Sequence, residues 1–436
     1  MPRDTILTGH VLSFHADPLT GAAADAPQCA QLCEAVLIRD GHIAATGSLD
    51  ALRADAPGAR LSRHDGQLIC AGFIDAHAHY PQTAIIASWG KRLIDWLDTY
   101  TFPEEMRLSD PAYAAQIAER YFDLTLAHGT TTTVSFCTSH PASVDAFFTA
   151  ARARGLRAAA GKTCMDRNAP PGLCDSAQSA HDDSAALIAR WHGVDRLSYV
   201  ITPRFAPTSS AAQLDALGAL RAAHPDCLMQ THLCEQTEEI AWVKRLFPGA
   251  RDYLDVYESH GLLSERALFG HAIHLAPREA ARLAESGAAL VHCPTSNSFI
   301  GSGLFDIGQR LCEGQRIGLA TDTGGGSSFS MLRTMAAAYE IAQLTGTALH
   351  PAQLLWLATG AGAAALHMQG RIGNIAPGME ADLVILDLAS TPAIAQRHAR
   401  AEDIWEALFP TIMMGDDRAI RAVLVAGEPP TTAPTA

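Results

Sequence analysis

Residues 71–79 read Ala71-Gly72-Phe73-Ile74-Asp75-Ala76-His77-Ala78-His79, an apolar run closed by two histidines one residue apart. Alternate residues of an extended strand share a face, so His77 and His79 can aim both imidazoles at one point. Leu68-Ile69-Cys70 leads into the run and Gly72 interrupts it. The segment therefore reads as a buried strand that delivers two nitrogen ligands at its C-terminal end. The chain holds 19 histidines and could carry such a pair by chance, so the reading depends on what surrounds this one.

Outward from this stretch, Leu68–His77 is the first of eight apolar runs that could be successive strands. The others are Thr131–Cys137, Leu156–Cys164, Leu197–Phe205, Cys227–His232, Ala267–His271, Ala288–Cys293 and Arg316–Asp322. Helical segments fill several gaps, among them Pro111–His128, Ala211–Ala223 and Pro277–Ser286. This alternation predicts an α/β fold, a TIM-like (β/α)8 barrel, and the span from His77 to Asp322 matches the roughly 250 residues such a barrel needs. A doubly wound sheet fits less well, because no G-x-G-x-x-G follows the first strand.

The two ends have a different texture. Residues 1–66 alternate short apolar stretches such as Ala35-Val36-Leu37-Ile38 with turns such as Arg39-Asp40-Gly41, and residues 371–436 carry Leu383-Val384-Ile385-Leu386 and Val423-Leu424-Val425. We expect the ends to pair into one small β-sandwich beside a barrel of residues 67–370. The stretch from Trp89 to Glu105 reads as a loop beyond the first barrel strand.

Barrel enzymes keep their active sites at the C-terminal ends of the strands. There the runs place His77 and His79, Arg204 and Phe205, His232 with Glu235 three residues on, His271, and Asp322. Three imidazoles and a carboxylate, from His77, His79, His232 and Asp322, suit one zinc ion, with iron or manganese as second choices. Taken singly, His232 could be a core histidine and Asp322 a helix cap before Gly324-Gly325-Gly326. Glu235 lies past the strand end, where it can sit beside a metal without ligating it, as a proton shuttle or as an acid in a first helical turn. His271 is either a further ligand or a hydrogen-bond partner of a hydroxide on the metal, with His274 as its structural neighbour. Arg204 beside Phe205 can grip a flat heterocycle, and Gln82 can read ring donors and acceptors through its amide.

Composition narrows the partners. A net charge of −14 argues against nucleic acid and anionic membrane surfaces and favours a small neutral ligand. Ten scattered cysteines without any C-x-x-C read as thiols of a reducing compartment, and the early polar breaks after Met1 do not resemble a signal peptide, so we expect a cytoplasmic protein. The H-x-E and P-C-x-x-C patterns of the base-flipping deaminases do not occur.

Several longer motifs then carry a family likeness: GFIDAHAHYPQ, WLDTYTFPE, ITPRFAPTSS, QTHLCE, HCPTSN, TDTGGGSSFSMLR and GNIAPGMEADLVILD. With them the chain resembles the metal-dependent amidohydrolase superfamily and, within it, the branch that deaminates guanine. The resemblance implies zinc on His77, His79, His232 and Asp322, proton transfer by Glu235, and His271 close to the hydroxide. It also implies guanine held by Gln82, Arg204 and Phe205, hydrolysis to xanthine and ammonia, and a homodimer. Ala76 and Cys234 depart from the Thr and Ser usual there, which bears on hydrogen bonding around the ligands. The alternatives are the same chemistry on 8-oxoguanine, a pterin or an aminotriazine, and a metal-free barrel kept as an interaction protein.

Overall fold

The computed structural model describes residues 4–90 and 92–430. The outermost parts of the two expected end segments, residues 1–3 and 431–436, lie outside the described residues.

Both chain ends contribute to one six-stranded sheet. Its strands are β1 (Thr5–Phe14), β2 (Ala30–Arg39), β3 (His42–Gly47), β4 (Arg60–Ala71), and, from the far end, β14 (Leu383–Leu386) and β15 (Ile420–Leu424). The spatial order is β15-β14-β4-β1-β2-β3, and β4 joins the two ends by pairing parallel with β1 and antiparallel with β14. Side chains alternate across a strand, so each face has its own apolar layer. One layer gathers Val11, Val36, Ile69 and Ile385; the other gathers Ile6, Leu37 and Leu52. This small sheet flanks the barrel.

The barrel strands are β5 (Phe73–His79), β6 (Thr130–Phe136), β7 (Arg157–Gly161), β9 (Leu197–Pro203), β10 (Leu228–Leu233), β11 (Ala267–His271), β12 (Ala289–His292) and β13 (Arg316–Leu319). A two-residue strand, β8 (Thr163–Cys164), pairs with β9 beside this path. The eight are parallel in chain order, and Asp322 N donates to His77 O at 2.9 Å where the last strand's extension meets the first. Ile74, Val134, Val200, Leu228, Leu268 and Val291 fill the barrel's interior below the site. The expected helices form over Pro111–Ala127, Ala211–Ala223 and Pro277–Ser286.

Two expectations need correction. The run Leu68–His77 is not one strand: Leu68–Ala71 belongs to the small sheet, and the barrel strand starts at Phe73. Gly72 is the switch between the sheets, where a Cβ would lie 2.2 Å from Thr131 Oγ1, so only glycine leaves room for the Thr131 side chain. Nor is the stretch after Trp89 an irregular loop. It forms short helical pieces at Leu93–Trp96, Leu97–Thr101 and Phe102–Arg107, which bury Trp96, Leu97 and Phe102 against Met165, Leu173 and Phe205.

Candidate active site

The strand period does at β5 what its pattern requires. His77 and His79 sit on one face at the C-terminal end, both buried. His232 enters from β10, and Asp322 follows β13 by three residues. One ligand atom from each of the four lies within 4.8 Å of the others. Asp322 Oδ1 is 3.4 Å from both His77 Nε2 and His79 Nε2, and His79 Nε2 is 3.2 Å from His232 Nε2. The carboxylate of Asp322 therefore faces these rings rather than capping a helix.

Local packing holds the rings in place. Gly270 of β11 leaves room for the His77 ring, since a Cβ there would lie 2.6 Å from its Cε1. Phe136 stacks on His79 at 4.6 Å between centroids. The backbone carbonyl of Arg204 accepts from His232 Nδ1 at 2.6 Å, which puts the proton on Nδ1 and leaves the Nε2 lone pair facing the other ligands. Asp75, buried beneath, accepts from Thr321 N at 3.0 Å and from the Thr321 hydroxyl at 2.5 Å, tying β5 to the turn that carries Asp322.

The electrostatics suit a cation. Burial pushes His77 down and holds His79 and His232 well below the usual imidazole range, so their nitrogens are neutral donors. Burial works against ionisation of Asp322, but the neighbouring His77 and His271 imidazoles outweigh it and hold the carboxyl below its ordinary range. Neutral lone pairs converging on one point repel unless a cation lies among them, and His77 Nε2 is a buried nitrogen without a hydrogen-bond partner among the described residues. Three imidazole nitrogens and one carboxylate oxygen thus fit a divalent metal.

Glu235 and His271 stand at the edge of this cluster. His271 Nε2 is 3.6 Å from Glu235 Oε2 and 3.6 Å from Asp322 Oδ2, while its Nδ1 donates to Asn297 Oδ1 at 2.8 Å. Ser302 Oγ donates to Glu235 Oε1 at 2.8 Å, and burial pushes the Glu235 carboxyl up, with His271 opposing. His274 is turned away, its Nε2 bonded to the carbonyl of Ser302 at 2.8 Å. Cys234, His271 and Asp322 all have left-handed backbones, with φ of 50°, 66° and 50°. Such residues cost about 1–3 kcal/mol each and persist where surrounding structure over-determines them, typically at working sites.

A cleft opens over the cluster. Gln82, Arg204 and Phe205 line it together with His79, His232, Glu235, His271 and Asp322. Every site residue singled out in the sequence is therefore at or around one cleft, His77 lying just beneath it. Of the two unusual residues, Ala76 packs against β13 near Gly318, and the buried Cys234 thiol donates to Glu279 at 3.6 Å.

Sequence reasoning missed Glu105, Asp75, Asn297 and Ser302. Asp75 had a signal, an acid inside an otherwise apolar strand. Asn297 closes the HCPTSN motif and lies on the helix Pro294–Phe299, whereas Ser302 had no signal.

The amidohydrolase family profile matches residues 68–429, from the end of β4 through the whole barrel and both C-terminal strands. The chain belongs to the amidohydrolase family. A second, short match, to an imidazolonepropionase-like composite domain of bacteria, covers residues 35–59 of this amidohydrolase's small sheet. Guanine deaminase of Escherichia coli K12 is 41% identical over 393 residues, 90% of each chain. The solved E. coli guanine deaminase superposes with a TM-score of 0.95 at 38% identity, covering 98% of this chain and 99% of that one. A guanine deaminase from C. acetobutylicum, solved with guanine in its active site, gives a TM-score of 0.88 at 27% identity, covering 98% of this chain and 100% of that one.

Proposed function

We propose that this amidohydrolase is a guanine deaminase, which hydrolyses guanine to xanthine and ammonia. The observation that carries the reading is the single cleft in which a metal-ligand set, a buried carboxyl and the Gln82–Arg204–Phe205 wall meet. The guanine deaminases among its relatives support the substrate.

His77, His79, His232 and Asp322 would hold one divalent ion, for which zinc suits the nitrogen-rich set. When bound, such an ion lowers the pKa of water toward neutrality and so supplies the nucleophile for C2 of the base. The chain's own groups do the rest. Glu235, kept protonatable by burial, protonates the ring nitrogen beside C2 as the ring loses its planarity. Asp322, whose Oδ2 faces His271, accepts the proton of the attacking water and passes it to the leaving amine. His271, fixed by Asn297, holds the attacking oxygen in line. Arg204 and Gln82 grip the oxo edge of the six-membered ring while Phe205 packs against it. Adenine presents that edge with opposite polarity, leaving buried polar groups unpaired.

The same reading makes residues 67–370 the catalytic unit and the end segments 1–66 and 371–436 its support, and assigns a cytoplasmic homodimer serving purine breakdown. The ten cysteines, all unpaired and six of them buried, suit a reducing compartment. A turnover panel tests the substrate: guanine should exceed 8-oxoguanine, a pterin and an aminotriazine by more than about tenfold in kcat/KM. A panel led by another ring would replace guanine as the substrate.

A further inference from the structure

Behind the proposed substrate wall lies a residue that does not line the cleft. Glu105 is fully buried on the helical piece Phe102–Arg107. Its Oε1 accepts from Gln82 Nε2 at 2.9 Å, and its Oε2 accepts from Arg204 Nη1 at 2.6 Å. Phe102, on the same helical face three positions earlier, puts its ring 5.4 Å from the Arg204 guanidinium. One short segment thus holds both polar residues of the wall.

We propose that Glu105 is the positioning residue that sets the hydrogen-bonding polarity of the substrate wall, and thereby the selection of a neutral ring with an oxo group. The inference rests on Gln82 and Arg204 being the groups that hold the base.

Glu105 meets a donor at each oxygen, and only a carboxylate accepts at both. Because it can only accept, Gln82 must turn its amide nitrogen toward it. The Gln82 oxygen then faces Gly324 N, which donates to it at 3.3 Å. The amide is therefore locked in one of its two orientations, and the donor and acceptor it shows the cleft are fixed before any ligand arrives. Arg204 is fixed likewise, and its other N–H groups, without a protein partner among the described residues, are left for an oxo acceptor. The pairing also cancels the guanidinium charge, so the wall favours a neutral base over an anion. A glutamine at 105 cannot reproduce this. Whichever way its amide turns, its nitrogen faces either Gln82 Nε2 or Arg204 Nη1, donor against donor. If Gln82 flips to relieve the first clash, a new one forms at Gly324.

The test compares Glu105→Gln, Glu105→Asp and the parent, using guanine as substrate and 2-aminopurine, which lacks the oxo group, as competitive inhibitor. For Glu105→Gln we expect the guanine KM to rise about tenfold or more, kcat to fall by less, and the 2-aminopurine Ki to move less than about threefold. Glu105→Asp keeps two acceptors on a shorter stem and should restore part of the guanine KM. A role confined to folding would lower kcat through loss of active protein and leave KM unchanged for both ligands; that result overturns the proposal. So does a Glu105→Gln KM equal to the parent's. If Glu105→Gln does not fold, Glu105→Asp decides alone: a guanine KM about threefold or more above the parent's, with the 2-aminopurine Ki unmoved, supports the role, and a parental KM overturns it. A parent that turns over no guanine instead overturns the assignment of substrate, an outcome visible before any variant is compared.

Discussion

Replacing Glu235 by glutamine isolates proton transfer from everything else the site does. The substitution keeps the side chain's shape. Its amide oxygen can still accept from Ser302 Oγ, now 2.8 Å from Glu235 Oε1, and the ligand set does not include the residue. What disappears is the exchangeable proton, held by a carboxyl that burial has raised toward the working pH. A positioned general acid–base contributes about 10² to 10⁴ in rate. At about 1.4 kcal/mol per decade this is about 3 to 5 kcal/mol of barrier. We therefore expect kcat for guanine to fall by about 10² to 10⁴ in steady-state assays of ammonia release, with bound metal and melting temperature at parental values. A kcat within about tenfold of the parent would remove Glu235 from the proton path. Loss of metal in parallel with activity would refute the separation of roles argued here.

Other perturbations probe the scaffold. His232→Ala removes one of the four proposed ligands, and elemental analysis should find metal occupancy well below the parent's, with activity falling in proportion. Gly270→Ala puts a methyl 2.6 Å from His77 Cε1, so overpacking should cost about 1–3 kcal/mol in denaturant unfolding and weaken metal retention. Burial pushes the Glu239 carboxyl up to about 7 in the folded state, aided by the charge of Glu235, against an ordinary value of 4.5. A raised acid binds more protons folded than unfolded, so its contribution to stability is present below pH 4.5 and declines as pH rises through about 7. Glu239→Gln can still accept from the backbone N–H groups of Glu235 and Gln236, bonds now 3.0 and 3.1 Å long, and should flatten that decline in unfolding midpoints measured across this range.

Much of this site was legible because a barrel collects strand ends at one rim. His77 and His79 announce themselves by a period of two, and His232, His271 and Asp322 each follow an apolar run, so counting strands brings them together without coordinates. What stayed hidden depends on contacts between distant parts of the chain that no local pattern records. Glu105 meets Arg204 across 99 residues, and Asp75 meets Thr321 across 246. The helical cover after Trp89 looks like a loop in sequence because its pieces are too short to show a helical period and rest on tertiary packing of Trp96, Leu97 and Phe102. Leu68–Ala71 blends into the barrel strand in sequence because β4 and β5 are apolar on both sides of Gly72, and only the close approach to Thr131 marks where one sheet hands over to the other.

The central claim is tested most directly by incubating the metal-loaded protein with guanine while following xanthine and ammonia together. The account predicts one xanthine and one ammonia for each guanine consumed, with neither formed by the His232→Ala variant. Guanine left intact, guanine lost without ammonia, or undiminished turnover by His232→Ala would contradict it.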